Sequence, residues 1–127
     1  MDLALPGLGI DVSAATLDVK LSSDKSKRGQ FKRVANAFEG CEQIEQWLQQ
    51  QGISRVHVCM EATGTYSDLA ALFFFEHGHQ VSVVNPARVK AFRRSEGMVS
   101  KTDRQDALLL ARFVEQKRPA QWKPTPQ

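Results

Sequence analysis

The chain has 127 residues and a net charge of +3, enough for one domain with an ordinary core and a mild preference for an acidic partner. Hydrophobic residues make up 42% and charged residues 24%, which excludes a disordered chain. The longest apolar run, Leu69 to Phe75, is far below the roughly 20 residues of a membrane span. No basic-then-apolar leader precedes Gly9, and Cys41 and Cys59 have neither disulfide nor metal-ligand spacing, so a cytoplasmic, membrane-free location is expected.

In chain order, Leu8 to Val12 reads as a short buried strand. Leu17, Val19 and Leu21 alternate with Asp18 and Lys20, the period of a second strand, and Phe31 to Ala35 completes a meander after the polar turn Ser22 to Gly29. Phe38, Cys41, Ile44 and Leu48 recur at helical spacing over Phe38 to Gln50, closed by Gly52. A strand over Arg55 to Met60 follows, with Val56 and Val58 inward and His57 on the strand surface. Thr65 is the expected N-cap of a helix over Tyr66 to His77, and Gln80 to Val84 is a strand ended by Asn85-Pro86. Arg88 to Lys101 reads as a short helix and a loop around Gly97, and a last helix starts at Asp103 and runs to about Gln116. Pro119, Pro124 and Pro126 mark an extended tail. The expected domain is 1–118, with 119–127 a linker toward a further domain that the sequence lacks.

Three hairpin-joined strands followed by alternating helices and strands define the fold class: α/β, a mixed sheet of about five strands, the first three antiparallel, flanked by helices. This is the ribonuclease-H-like order. Four acids fall at its strand and helix ends. Asp11 is embedded in the first strand, where burying a carboxylate is costly unless it is paired or binds a cation. Glu61 follows the strand ending at Met60, and strand ends are where open sheets bind ligands. Asp103 and Asp106 are spaced i, i+3 on the helical face that also carries Leu110, Phe113 and Val114. Each acid alone has a blander reading: a turn cap for Asp11, a backbone acceptor for Glu61, a helix N-terminal charge for Asp103, a solvated side chain for Asp106. Together they form a donor set that suits magnesium or manganese, ions that serve phosphodiester chemistry.

The basic residues Arg88, Lys90, Arg93, Arg94, Lys101 and Arg104 face only Glu96 and Asp103 in the same stretch, the footprint expected of a DNA backbone. A second basic cluster holds Lys25, Lys27, Arg28, Lys32 and Arg33. A solvated basic face would give the same composition. His57, His77 and His79 have no ligand pattern; Ser13 and Thr63 have no partner base; Tyr66 either packs under the site or touches substrate.

Gly9-Ile10-Asp11-Val12-Ser13, Glu61-Ala62-Thr63-Gly64-Thr65-Tyr66, Asn85-Pro86 and Lys101-Thr102-Asp103-Arg104-Gln105-Asp106-Ala107 together resemble the DEDD insertion-sequence transposases, the group that includes pilin-gene-inverting recombinases. The resemblance runs from about Leu8 to Pro126. It implies a domain similar to the RuvC-type Holliday-junction resolvases, with Asp11, Glu61, Asp103 and Asp106 holding magnesium. It also implies DNA as substrate, a C-terminal domain with a serine that attaches to DNA, and, for some members, a structured guide RNA; a homo-oligomer is compatible with it. Because the sequence stops at Gln127, the expectation is an excised domain or gene fragment that is incomplete alone. The competing readings are a stand-alone RuvC-type junction endonuclease, a non-catalytic nucleic-acid-binding module, and an actin-like ATPase or sugar kinase. The last usually has Gly two residues after the first acid, where this chain has Ser13.

Overall fold

Alternation and hairpin closure build the first half of the sheet. Strand β1 (Gly7–Val12) pairs antiparallel with β2 (Thr16–Leu21), which pairs antiparallel with β3 (Phe31–Ala35). The chain then crosses over through helix α1 (Phe38–Gln50) into β4 (His57–Glu61), laid parallel to β1. Helix α2 (Asp68–Glu76) leads to β5 (Gln80–Val84), parallel to β4, and helices α3 (Pro86–Ser95) and α4 (Asp103–Lys117) follow. The sheet order is β3-β2-β1-β4-β5. The expected five-stranded mixed sheet with an antiparallel first half is what forms. The computed structural model describes residues 5–22, 31–97 and 103–124, the side chains of 103–105 excepted. Lys25, Lys27, Arg28, Lys101 and the side chain of Arg104 therefore lie outside the described residues, as does the loop beyond Gly97. Among the described residues, no helix is long and apolar enough to cross a membrane.

Each sheet face has its own core. Leu8, Ile10, Leu17, Val19, Val58 and Met60 pack with Ile44 and Leu48 of α1 and Phe74 of α2. Cys59 and Val84 point to the opposite face, against Val89 and Phe92 of α3 and Leu109, Leu110, Phe113 and Val114 of α4. Burying side chains of this size supplies about 1.5–3 kcal/mol each before entropy is counted. Helix α4 sits directly on β1, because Gly7 and Gly9 leave no side chain between them. A Cβ on Gly9 would stand 1.8 Å from the Ala107 carbonyl oxygen and 2.6 Å from the Ala111 nitrogen. At the far end, Glu115 accepts the Gly7 N–H at 2.6 Å and the Ser22 hydroxyl, tying α4 to the start of β1.

Several boundaries differ from expectation. Helix α3 begins at Pro86, since Asn85 caps it by accepting the Ala87 N–H at 2.7 Å and Pro fits a first helical turn. Helix α2 begins at Asp68, and Thr65 instead forms a bridge with Thr63 in the turn after β4. His57 is buried rather than on a strand surface, because β4 is a central strand covered on both faces. Its Nε2 lies 2.8 Å from Ser82 Oγ. Residues 118–124 have no regular secondary structure, yet they lie against β5: the Trp122 N–H donates to the Val81 carbonyl and its ring packs on Phe75. Ser82 Oγ also donates toward the Ala120 carbonyl at 2.9 Å.

Candidate functional site

Two parallel strands bring the first two acids together. Gly9 pairs with Cys59 and Ile10 with Met60, and one residue further the same register sets Asp11 beside Glu61. Both acids end their strands, so they stand at the C-terminal edge of the sheet. Side chains two residues apart share a face. Asp11 is thus on the face of Gly9, and Glu61 on that of Cys59, the face covered by α4 and α3. Burial pushes the Cys59 thiol up to about 12, the Glu61 charge adds to this, and Arg88 opposes it. The thiol is therefore inert at neutral pH.

The glycine contacts also fix which part of α4 faces Asp11. Gly7 meets the helix at Ala111 and Val114, and Gly9 meets it at Ala107 and Ala111. Two residues forward along β1 correspond to one helical turn backward along α4. Asp11 therefore stands opposite the turn that opens at Asp103. Three of the four predicted positions, 11, 61 and 103, thus share one edge of the sheet at the level of the backbone. The Asp103 side chain lies outside the described residues.

Asp106 is buried one turn on and is held by Arg93, whose Nη2 stands 2.5 Å from Oδ1. Arg93, expected among the phosphate contacts, is largely buried in this ion pair. Of the other basic candidates on α3, Arg88, Lys90 and Arg94 are exposed, and the Arg88 guanidinium sits 5.3 Å from the centre of the Phe113 ring. Among the described residues, no three His, Cys, Asp or Glu side chains gather closely enough to hold an ion. Asp11 and Glu61 are carboxylates, the oxygen donors that magnesium prefers, but they are only two among the described side chains at this edge.

One acid escaped the sequence reading. Asp18 pairs with Asp11 across β1–β2 and with Arg33 across β2–β3, so Glu61, Asp11, Asp18 and Arg33 form a row across four strands. Arg33 grips Asp18 with Nε to Oδ1 at 2.6 Å and Nη2 to Oδ2 at 3.0 Å. A polar residue in an alternating strand reads as solvent-facing. The signal that could have found it is an acid and an arginine at facing positions of one hairpin.

The loops around this edge are tied together. Asn36 donates to the carbonyls of Ser13 at 2.8 Å and Tyr66 at 2.9 Å, joining the turns after β1, β3 and β4. Tyr66 is exposed, so it does not pack beneath the site. Thr63 Oγ1 is buried and has no hydrogen-bond partner among the described residues.

A mixed sheet in this order, with acids at the ends of two adjacent parallel strands and a helix across them, defines a RuvC-like α/β domain. A solved structure described as T. thermophilus RuvC in complex with Holliday junction substrate has the same fold: TM-score 0.57 and 14% identity, over 92% of this chain and 98% of that one. The chain belongs to the DEDD_Tnp_IS110 family, described as a transposase, whose model matches residues 8–127. It is 35% identical over 119 residues to the pilin gene-inverting protein of Moraxella bovis and 34% identical to that of Moraxella lacunata. Those matches cover 92% of this chain but only 36% of the length of either relative.

Proposed function

We propose that this chain is a metal-dependent catalytic domain of a DNA transposase or recombinase, cleaving or transferring phosphodiester strands in branched DNA. The observation that carries it is the parallel register that sets Asp11 beside Glu61, beneath the opening turn of α4. Asp11, Glu61, Asp103 and Asp106 would hold magnesium or manganese, which supplies Lewis-acid stabilisation of charge on the phosphate oxygens. The chain's own part is positional. Strands β1 and β4 fix two carboxylates on a rigid edge, α4 closes over them, and Asn36 anchors the surrounding turns. The exposed Arg88, Lys90 and Arg94 supply positive charge for the DNA backbone, with Lys101 and Arg104 assigned the same role. A cytoplasmic place of action, a structured RNA, a further C-terminal domain and self-association belong to this reading through the family resemblance.

The test is nicking of a four-way DNA junction with and without magnesium, in the chain and in Asp11→Asn and Glu61→Gln. The expected result is metal-dependent cleavage lost in both variants while junction binding persists. Cleavage that survives both substitutions would remove these acids from the chemistry. Absence of cleavage throughout, with unaltered manganese affinity in both variants, would leave a nucleic-acid-binding module.

A further inference from the structure

The helices on the two faces of the sheet differ in charge. On one face α1 holds Glu39, Glu42 and Glu45 and α2 holds Asp68 and Glu76, and neither helix contains a lysine or an arginine. On the other, α3 holds Arg88, Lys90, Arg93 and Arg94 and no acid. Glu45 is tied to His79, whose Nε2 stands 2.5 Å from Oε1, whereas Glu39, Glu42, Asp68 and Glu76 are exposed. In a chain of net charge +3, the α1–α2 face is thus an acidic surface, unsuited to phosphate.

The same face shows apolar surface to water. Every residue of α2 between Asp68 and Glu76 is apolar. Ala70, Ala71, Phe73 and Phe74 are buried, but Leu69, Leu72 and Phe75 are 40%, 40% and 38% exposed. Their i, i+3, i+6 spacing makes one stripe along the outer side of the helix. Aromatic rings widen it on both sides. Exposed Phe38 packs edge-on against Phe73 with ring centroids 5.5 Å apart, and Trp122 packs edge-on against Phe75 at 6.0 Å. Single exposed apolar residues are ordinary; a contiguous stripe on a helix that is apolar all round marks a surface that packs against something.

The charges around the stripe select the occupant. At 100° per residue Asp68 and Glu76 fall on the same side of α2 as the stripe, about 12 Å apart along the axis. A second copy of this chain paired here, parallel or antiparallel about Leu72, would set acid against acid. DNA would meet the same two acids. We propose that α2, with Phe38 of α1, is a docking face for an amphipathic helix of a partner protein. That helix lays an apolar stripe over Leu69, Leu72 and Phe75 and carries lysines or arginines two turns apart that meet Asp68 and Glu76. A helix suits the face because its side-chain ridges interleave with those of α2, and its cations complement the acids beside the stripe. The docking face makes no use of the acid pair at the strand ends, so it stands independently of the proposed chemistry.

The test is binding of two fluorescein-labelled helical peptides of about 18 residues, followed by anisotropy. One has a leucine stripe flanked by lysines, and the other has glutamates in place of the lysines. The lysine peptide should bind and the glutamate peptide should not. Leu72→Gln should weaken the lysine peptide about fivefold and Glu76→Gln about threefold. Glu96→Gln removes an acid at the end of α3 and should leave binding unchanged. Equal binding of the two peptides, or parental affinity in Leu72→Gln, would overturn the proposal. Should Leu72→Gln fail to fold, the exposed Glu76 carries the test, and parental affinity in Glu76→Gln would overturn it as well. Sedimentation in which the parent chain self-associates and Leu72→Gln does not would make a second copy the occupant, which also overturns it.

Discussion

Gly9→Ala tests whether α4 is seated on β1 as tightly as the site requires. The new methyl carbon would stand 1.8 Å from the Ala107 carbonyl oxygen, 2.6 Å from the Ala111 nitrogen and 2.8 Å from the Ala107 carbonyl carbon. All three are backbone atoms, so no side chain can rotate away. The helix must retreat by roughly 1.5 Å to restore ordinary contact, in a region where packing is close to crystalline. Overpacking of this kind costs about 1–3 kcal/mol, and an immovable obstacle puts the substitution at the upper end. With an unfolding entropy near 2.1 cal/mol/K per residue, about 3 kcal/mol lowers Tm by roughly 11 °C in a chain of this length. Gly52→Ala is the control. Gly52 has φ +75° and nothing within 4 Å of an added methyl, so only left-handed strain of about 1 kcal/mol, or roughly 4 °C, is expected. Thermal unfolding followed by circular dichroism measures both. Manganese affinity should fall in Gly9→Ala alone, because the retreat carries the Asp103 turn away from Asp11. A Gly9→Ala protein melting within about 3 °C of the parent would refute the packing on which the site depends.

The other predictions concern charge and protonation. Burial and the nearby Arg118 charge lower the His57 pKa to about 4 from its ordinary 6.5, so the folded state prefers the neutral ring. The resulting stability is complete above pH 6.5 and is lost as pH falls toward 4, by up to about 3 kcal/mol. In His57→Gln, Tm should vary less with pH over that window, and an identical pH dependence would contradict the assignment. Arg93→Ala leaves the buried Asp106 carboxylate without its arginine and should destabilise the metal-free fold by about 3–5 kcal/mol, measured by denaturant unfolding. The same change removes a cation competing for Asp106, worth at least ~1 kcal/mol even with water-like screening, so calorimetry should show manganese binding roughly five- to tenfold tighter. Unchanged or weaker binding would mean that Arg93 orients Asp106 rather than competing for it. Burial raises the thiols of Cys41 to about 11 and Cys59 to about 12, so neither should react with iodoacetamide at pH 8 until denaturant is added. Stoichiometric labelling of the folded chain would contradict their burial.

The fold was largely legible because its signals are local. Alternation over Leu17 to Leu21 and helical spacing over Phe38 to Leu48 each follow from a single element's buried face. The site was legible only where an acid conflicted with its surroundings, as Asp11 does in an apolar strand. What stayed hidden depends on pairing between elements. Asp18 reads as the polar side of an amphipathic strand, yet it is buried and paired with Arg33, fifteen residues on and opposite in register. His57 looked equally solvent-facing, because alternation presumes one wet face and β4 has none. Asn85-Pro86 fits both a turn and a cap followed by a first helical residue, so the start of α3 is ambiguous in the sequence. The pairing of Arg93 with Asp106 joins two helices and leaves no local trace.

The most direct measurement of the central claim is anomalous diffraction from crystals of this chain soaked in manganese. A peak is expected at the C-terminal edge of β1 and β4, in contact with carboxylate oxygens of both Asp11 and Glu61 and with at least one acid of α4. A manganese peak on another surface, or none at concentrations that saturate binding in solution, would contradict it.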